Sequence, residues 1–192
     1  MNTSTDPDLD ALRRDLLQSV VDVARAIFGA AAGSVFLLDE DADELVFQAV
    51  SGQGEEFLVG RRFPAGRGIA GWVAASGEPM VVDDLATSAS FDRELAESTE
   101  YVPNALMAAP LISDGRVLGV LEVLDPSPQA RSGLRELDLL AMFARQAAAA
   151  LRVAALAEGA YAARAAPVLP PGHRADALRL LGDLERLLRG PA

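Results

Sequence analysis

Pro64–Pro79 reads PAGRGIAGWVAASGEP, and it holds four of the chain's 16 glycines and its only tryptophan, Trp72. Glycines cluster where a backbone must bend or approach another closely. Between them Ile69, Trp72 and Val73 give a short helix an apolar side. The stretch therefore predicts turn, helix, turn. Strand-like runs lie on both sides of it, so it is expected to cross over one face of a sheet and wall a pocket there.

Upstream, Leu12, Leu16, Val20, Val23 and Ile27 recur every third or fourth residue, which predicts an amphipathic helix over 9–28 with Pro7 in its first turn. SVFLLD (Ser34–Asp39) and LVFQAVS (Leu45–Ser51) flank a run of five carboxylates and predict a hairpin. That acidic run lacks the glycine and the terminal carboxylate of a calcium loop, so it reads as a solvated tip. A short strand is expected within Phe57–Phe63.

Downstream, MVVD (Met80–Asp83) reads as a strand, and a short helix is expected over Arg93–Glu97. ALMAAPLI (Ala105–Ile112) and VLGVLEVL (Val117–Leu124) form a second hairpin, with Pro110 pointing to an edge or bulge. A long helix is expected from Leu134 to about Glu158, with Leu137, Leu140, Ala144, Ala147, Leu151 and Ala154 on one stripe. The chain then divides into a polar, disordered segment 1–8, a domain 9–158, an Ala/Pro linker 159–173 and an amphipathic helix 174–189. Two hairpins separated by a crossover, with helices before and after, predict an α+β fold.

Composition narrows the chemistry. Of 192 residues, 17 are basic, all of them arginine, and the net charge is -11, which argues against nucleic acid or an anionic membrane as partner. Without lysine there is no Schiff-base chemistry. Without cysteine there is no disulfide, thiolate metal site or thiol nucleophile. The single histidine, His173, lies in the linker. No uninterrupted apolar run approaches the ~18 residues of a membrane span, and the acidic N-terminus is unlike a signal peptide, so a cytoplasmic location without a cofactor is expected.

Three segments carry a family likeness: GSVFLLDED with LVFQAVSG; GRGIAGWVAASGEPMVVDDLATSASFD; and ALMAAPLISDGRVLGVLEVLD with LRELDLLAMFARQAAAAL. In order and spacing they resemble the GAF domain, the small-molecule sensing module of phosphodiesterases, phytochromes, histidine kinases and transcription regulators, over about Leu16–Leu156. The resemblance implies a GAF/PAS-like sheet of about six antiparallel strands, the first and last domain helices on one face and the 64–104 crossover on the other. It also implies a homodimer through helices 9–28 and 134–157. The chain departs from cyclic-nucleotide-binding members, whose Asn-Lys pair is replaced by Asp125 and Pro126 and whose Phe is replaced by Leu134; only Asp138 fits. The methionine-sulfoxide-reductase and bilin-attaching branches need cysteines that are absent here.

The candidate ligand residues follow. Trp72 either stacks on a planar ligand or packs as core. Asp83 and Asp84 either accept ligand hydrogen bonds or cap a turn. Ser90, Phe91 and Asp92 form a cradle-like loop and helix start. Met107, Leu121 and Val123 are assigned to the pocket floor, although alternation alone leaves open which parity faces which side. Glu122, inside an apolar strand, either pairs structurally with Arg116 or Arg145, the favoured reading, or recognises a ligand. The expected function is a non-enzymatic sensory module that binds an unidentified small molecule and signals to a partner protein; the alternative is a dimerisation or scaffold domain that binds nothing.

Overall fold

The computed structural model describes residues 7–131, 134–165 and 179. Helix α1 (Pro7–Phe28) precedes a hairpin of β1 (Ala32–Asp39) and β2 (Glu44–Gly52). The chain continues through β3 (Arg62–Pro64), α2 (Gly68–Ser76), β4 (Met80–Val82), a 3-10 turn at Leu85–Thr87 and α3 (Arg93–Ser98). The second hairpin, β5 (Leu106–Ser113) and β6 (Arg116–Leu124), leads by a loop to α4 (Leu134–Ala165). All pairings are antiparallel, in one six-stranded sheet of order β3-β2-β1-β6-β5-β4. This is the α+β architecture that the two hairpins and the crossover predict.

Alternation in the strands divides the core in two. On one face Val35, Ala49, Met107, Ala109, Leu121 and Val123 pack with Leu17, Val21, Ala24 and Phe28 of α1 and with Leu140, Ala144, Ala147 and Leu151 of α4. On the other, Phe36, Phe47, Val50, Leu106, Ala108 and Val120 meet Ile69, Ala70 and Val73 of α2. A bulge refines this division. Val35 pairs with Ala49 but Phe36 with Phe47, which leaves Gln48 as the extra residue. Phe47 is thereby held on the same face as Phe36, and the two rings meet at 4.5 Å. Pro110 lies in β5 opposite Val120, beyond the three residues with which β4 pairs, so its missing N–H leaves no ladder bond unmade.

Some boundaries differ from expectation. Phe57–Phe63 is mostly turn, and only Arg62–Pro64 pairs with β2. The last helix does not stop near Glu158 but runs to Ala165, so the first part of the expected linker is helical, although the compact unit that holds the sheet ends at Glu158. Helix α1 takes in Pro7 and Asp8 of the segment 1–8 expected to be disordered; residues 1–6 of it, the rest of the linker, His173 and the expected helix 174–189 lie outside the described residues, Arg179 excepted.

Within α4, Arg135–Ala157 has the length and composition of a membrane span, with mean hydropathy 1.4, contrary to the reading from uninterrupted apolar runs. Its Leu140, Ala144, Ala147 and Leu151 are core residues against the sheet, and a third of the most apolar window is buried there.

The acidic β1–β2 tip is matched by arginines from elsewhere. Arg62 pairs with Asp39 at 2.8 Å and with Glu44 at 3.1 Å, and Arg116 pairs with Glu40 at 2.7 Å. The Arg62 guanidinium holds the Asp39 carboxyl below its ordinary value. No metal-ligating cluster of three or more acidic or histidine side chains occurs among the described residues.

Candidate functional site

The crossover covers the α2 side of the sheet and borders a half-open cavity with about 90 Å³ of water-accessible space. Two glycines shape its wall. Gly71 brings α2 against the preceding loop so closely that a Cβ there would lie 2.4 Å from the Ala65 carbonyl oxygen. Gly77 ends α2 in the left-handed conformation, φ 70°, which lets the chain turn straight into β4.

Phe36, Phe47 and Phe63 make an aromatic wall, with Phe36 and Phe63 edge to face at 5.4 Å. The sheet also contributes Ser34, Leu106, Glu122 and Leu124. The crossover contributes Arg67, Gly68, Ile69, Ala70, Phe91, Asp92, Leu95, Ala96, Thr99, Tyr101 and Pro103, and the loop after β2 contributes Gln53 and Leu58.

Arg67 and Asp92 tie the two halves of the crossover together. Arg67, at the N-cap of α2, donates Nε and Nη2 to the two carboxylate oxygens of Asp92 at 2.5 and 2.9 Å. Asp92 is also the N-cap of α3, accepting from the Leu95 N–H at 2.9 Å. The paired guanidinium, chiefly, lowers the Asp92 carboxyl below its ordinary value. Close by, the Tyr101 hydroxyl donates to Asp125 at 2.5 Å, and Asp125 accepts from the N–H groups of Asn104 and Ala105. Burial, then this bond to a carboxylate, pushes the Tyr101 phenol up out of the accessible range.

Glu122 is different. It is 8% exposed, lines the cavity, and has no hydrogen-bond or ion-pair partner among the described residues. Ser34 stands opposite it in the β1–β6 register. Burial alone pushes its carboxyl up from 4.5 to about 7. The expected pairing with Arg116 or Arg145 does not form: Arg116 turns to Glu40, and Arg145 belongs to α4, which packs on the other face of the sheet.

Of the predicted site residues, only Phe91 and Asp92 reach the cavity. Trp72 is 41% exposed and points away from both the cavity and the core, because Ile69, Ala70 and Val73 occupy the buried side of α2. Asp84 caps the 3-10 turn, accepting from the Ala86 N–H at 3.0 Å, while Asp83 and Ser90 are exposed and lie outside the lining. Met107, Leu121 and Val123 face α1 and α4, so the parity is the reverse of the assignment made for the floor. The reason lies in β6: its one carboxylate, Glu122, goes to the face with a cavity, and its neighbours Leu121 and Val123 take the sealed face. Sequence reasoning passed over Arg67 and Tyr101 and gave Glu122 a structural role. A lone carboxylate in VLGVLEVL was the signal available for Glu122.

A GAF domain model matches residues 13–151. The chain belongs to the GAF domain family. Its fold matches the GAF domain of a phosphoenolpyruvate-protein phosphotransferase from Coxiella burnetii at TM-score 0.68 and 24% identity, covering 77% of this chain and 86% of that one. Free methionine-R-sulfoxide reductase from Neisseria meningitidis, solved in complex with its substrate, is 26% identical at TM-score 0.57, with 77% and 88% covered. Among curated proteins, a probable 3',5'-cyclic phosphodiesterase, pde-5, of Caenorhabditis elegans is 25% identical over 115 residues. That match spans 55% of this chain and only 16% of the phosphodiesterase. GAF domains are known as small-molecule-sensing modules of signalling proteins.

Proposed function

We propose that this GAF domain is a non-catalytic sensory module that takes a small molecule into the cavity between the sheet and the crossover. One observation carries the reading: a buried carboxyl, Glu122, faces that cavity with no protein partner. The Glu122 carboxyl opens onto the cavity rather than being sealed in the core, and a ligand that supplies a donor there gains a charge-assisted hydrogen bond in a mostly apolar setting. The aromatic wall offers apolar area beside it, as ligand cavities do. Binding rather than turnover fits the lining, where Arg67 and Asp92 are engaged with each other and Tyr101 with Asp125.

Closure on a ligand would tighten α3, which has no fully buried side chain and is held by its cap, the Arg67 pair and the packing of Leu95 on the core. The signal would leave through α1 and α4 on the opposite face. Differential affinity for the open and closed states is what couples the two. The output would be a partner protein, and the setting is cytoplasmic. Native mass spectrometry of freshly purified protein tests the reading: a co-purified small molecule, lost on denaturation, is expected. Failure of any ligand to perturb the cavity residues would sink it.

A specific surface supports a second, compatible role in dimerisation. Leu12, Leu16, Val23 and Ile27 of α1 and Met142, Val153 and Leu156 of α4 are exposed apolar side chains. We place a homodimer contact on these helices, within 9–28 and 134–157. Light scattering giving a monomer at working concentration would refute it.

A further inference from the structure

We propose that the cavity takes a compact organic cation, an alkylammonium or amidinium head group, with Glu122 as its counter-charge and the Phe36–Phe47–Phe63 cluster as its wall. This rests on reading the cavity as the ligand site and names the chemistry of the ligand.

The charged lining decides the sign. Four titratable groups face the cavity: Arg67, Asp92, Tyr101 and Glu122. Arg67 is the only cation among the described residues of the lining, and it is already committed to Asp92 by two bonds and to Glu94 at 3.3 Å. An anionic ligand would thus meet an occupied guanidinium and an unpaired carboxyl. A cationic ligand meets the opposite: a partnerless carboxylate in an apolar setting, where an ion pair is stronger than at the surface.

The wall agrees. Phe36, Phe47 and Phe63 present rings at mutual distances of 4.5–5.8 Å, and aromatic faces attract ammonium and guanidinium-like groups once these are desolvated. Ser34, opposite Glu122, adds a hydroxyl that can accept from a second N–H of the head group. A metal ion is a poorer occupant, because Glu122 is a single carboxylate with no neighbouring ligand set among the described residues. The size agrees: about 90 Å³ of water-accessible space accommodates a head group such as acetamidinium, and the cavity is open enough for a longer ligand to extend out of it.

The proposal has a proton signature. With the Glu122 carboxyl near 7, a cation binding its ionised form releases the carboxyl proton to solvent whenever the free protein holds it. Arg67, Asp92 and Tyr101 do not titrate near neutrality, since Asp92 is lowered, Tyr101 is raised and Arg67 stays charged.

Acetamidinium, acetamide and acetate form a nearly isosteric cationic, neutral and anionic set of probes. Amide chemical shifts of the 15N-labelled protein are followed as each is added at constant ionic strength. Acetamidinium is expected to shift Ser34, Phe36 and Glu122 saturably, with affinity rising about tenfold from pH 6 to pH 8. In Glu122→Gln that affinity should fall at least tenfold and lose its pH dependence. Acetamide or acetate binding as well as acetamidinium would overturn the cation assignment and leave the cavity as the ligand site. If none of the three moves these amides, both the assignment and the ligand-site reading fall. The wild-type probe comparison and pH profile decide the matter even if Glu122→Gln fails to fold.

Discussion

Replacing Glu122 by Gln should make the domain more stable, and increasingly so as the pH rises from acid to neutral. The carboxyl is buried without a partner and its folded value lies near 7 against an ordinary 4.5. Below 4.5 the group is protonated in both folded and unfolded chains and contributes no pH dependence. Between 4.5 and 7 the unfolded chain has lost the proton while the folded chain retains it, so unfolding releases a proton and stability falls with rising pH. Above 7 both forms are ionised and the loss levels off. At about 1.4 kcal/mol per pH unit, the wild type should lose about 3 kcal/mol across that window through this one group. Glutamine has nearly the same shape and no charge to desolvate, so the variant lacks this slope. Urea unfolding of both proteins at pH 4.5, 5.5, 6.5 and 8 isolates the effect, because every other titrating group cancels in the difference. The stability gap should widen by about 3 kcal/mol from pH 4.5 to pH 8. A gap that stays constant with pH would refute the reasoning, since it would mean that the carboxyl finds solvent or a partner in the folded state.

Four other outcomes follow from the crossover. Asp92→Ala removes the N-cap of α3 and the Arg67 pair together, a loss of about 1 kcal/mol from the cap; faster amide exchange over Arg93–Ser98 with little change at β5 and β6 is expected, and unchanged exchange there would count against the latch. Because Arg67 lowers the Asp92 carboxyl, the pair's stabilisation is present above the ordinary value of 3.8 and is lost only as the pH falls through the lower folded value, so the protection of α3 amides, relative to exchange from the unfolded chain at the same pH, should not fall between pH 7 and pH 4.5. Gly71→Ala drives a Cβ into the backbone of Ala65 and Gly66 and should lower stability by about 1–3 kcal/mol, read from thermal unfolding. Trp72→Phe should leave probe binding unchanged, and the emission of Trp72 in the wild type should be readily quenched by iodide.

The hairpins were legible because SVFLLD and VLGVLEVL are short, valine- and leucine-rich apolar runs bounded by turn residues, and the last helix because the α4 stripe keeps a helical period. The crossover was legible as a wall because glycine and an apolar helix side mark close approach. Which residues the wall touches was not. Trp72, the largest apolar group in α2, reads as a ligand-stacking or core residue, yet the helix is so short that Ile69, Ala70 and Val73 fill its inner side. Strand parity carries the same ambiguity: Met107, Leu121 and Val123 alternate as well with one face as with the other, and only the packing of α1 and α4 decides. The Arg67–Asp92 pair joins residues 25 positions apart across two turns, a contact that no local pattern encodes.

The placing of β1 beside β6 has a consequence for how the chain reaches this state. Their paired residues, from Leu37 with Gly119 to Ala32 with Leu124, lie 82 to 92 positions apart, yet this pairing is the middle of the sheet. The two hairpins can each form locally, but joining them requires closing that long loop, which makes the central ladder the slow step of assembly. Until β6 docks, β1 presents an open, apolar edge, and that edge is where newly made or partly unfolded copies will stick to one another.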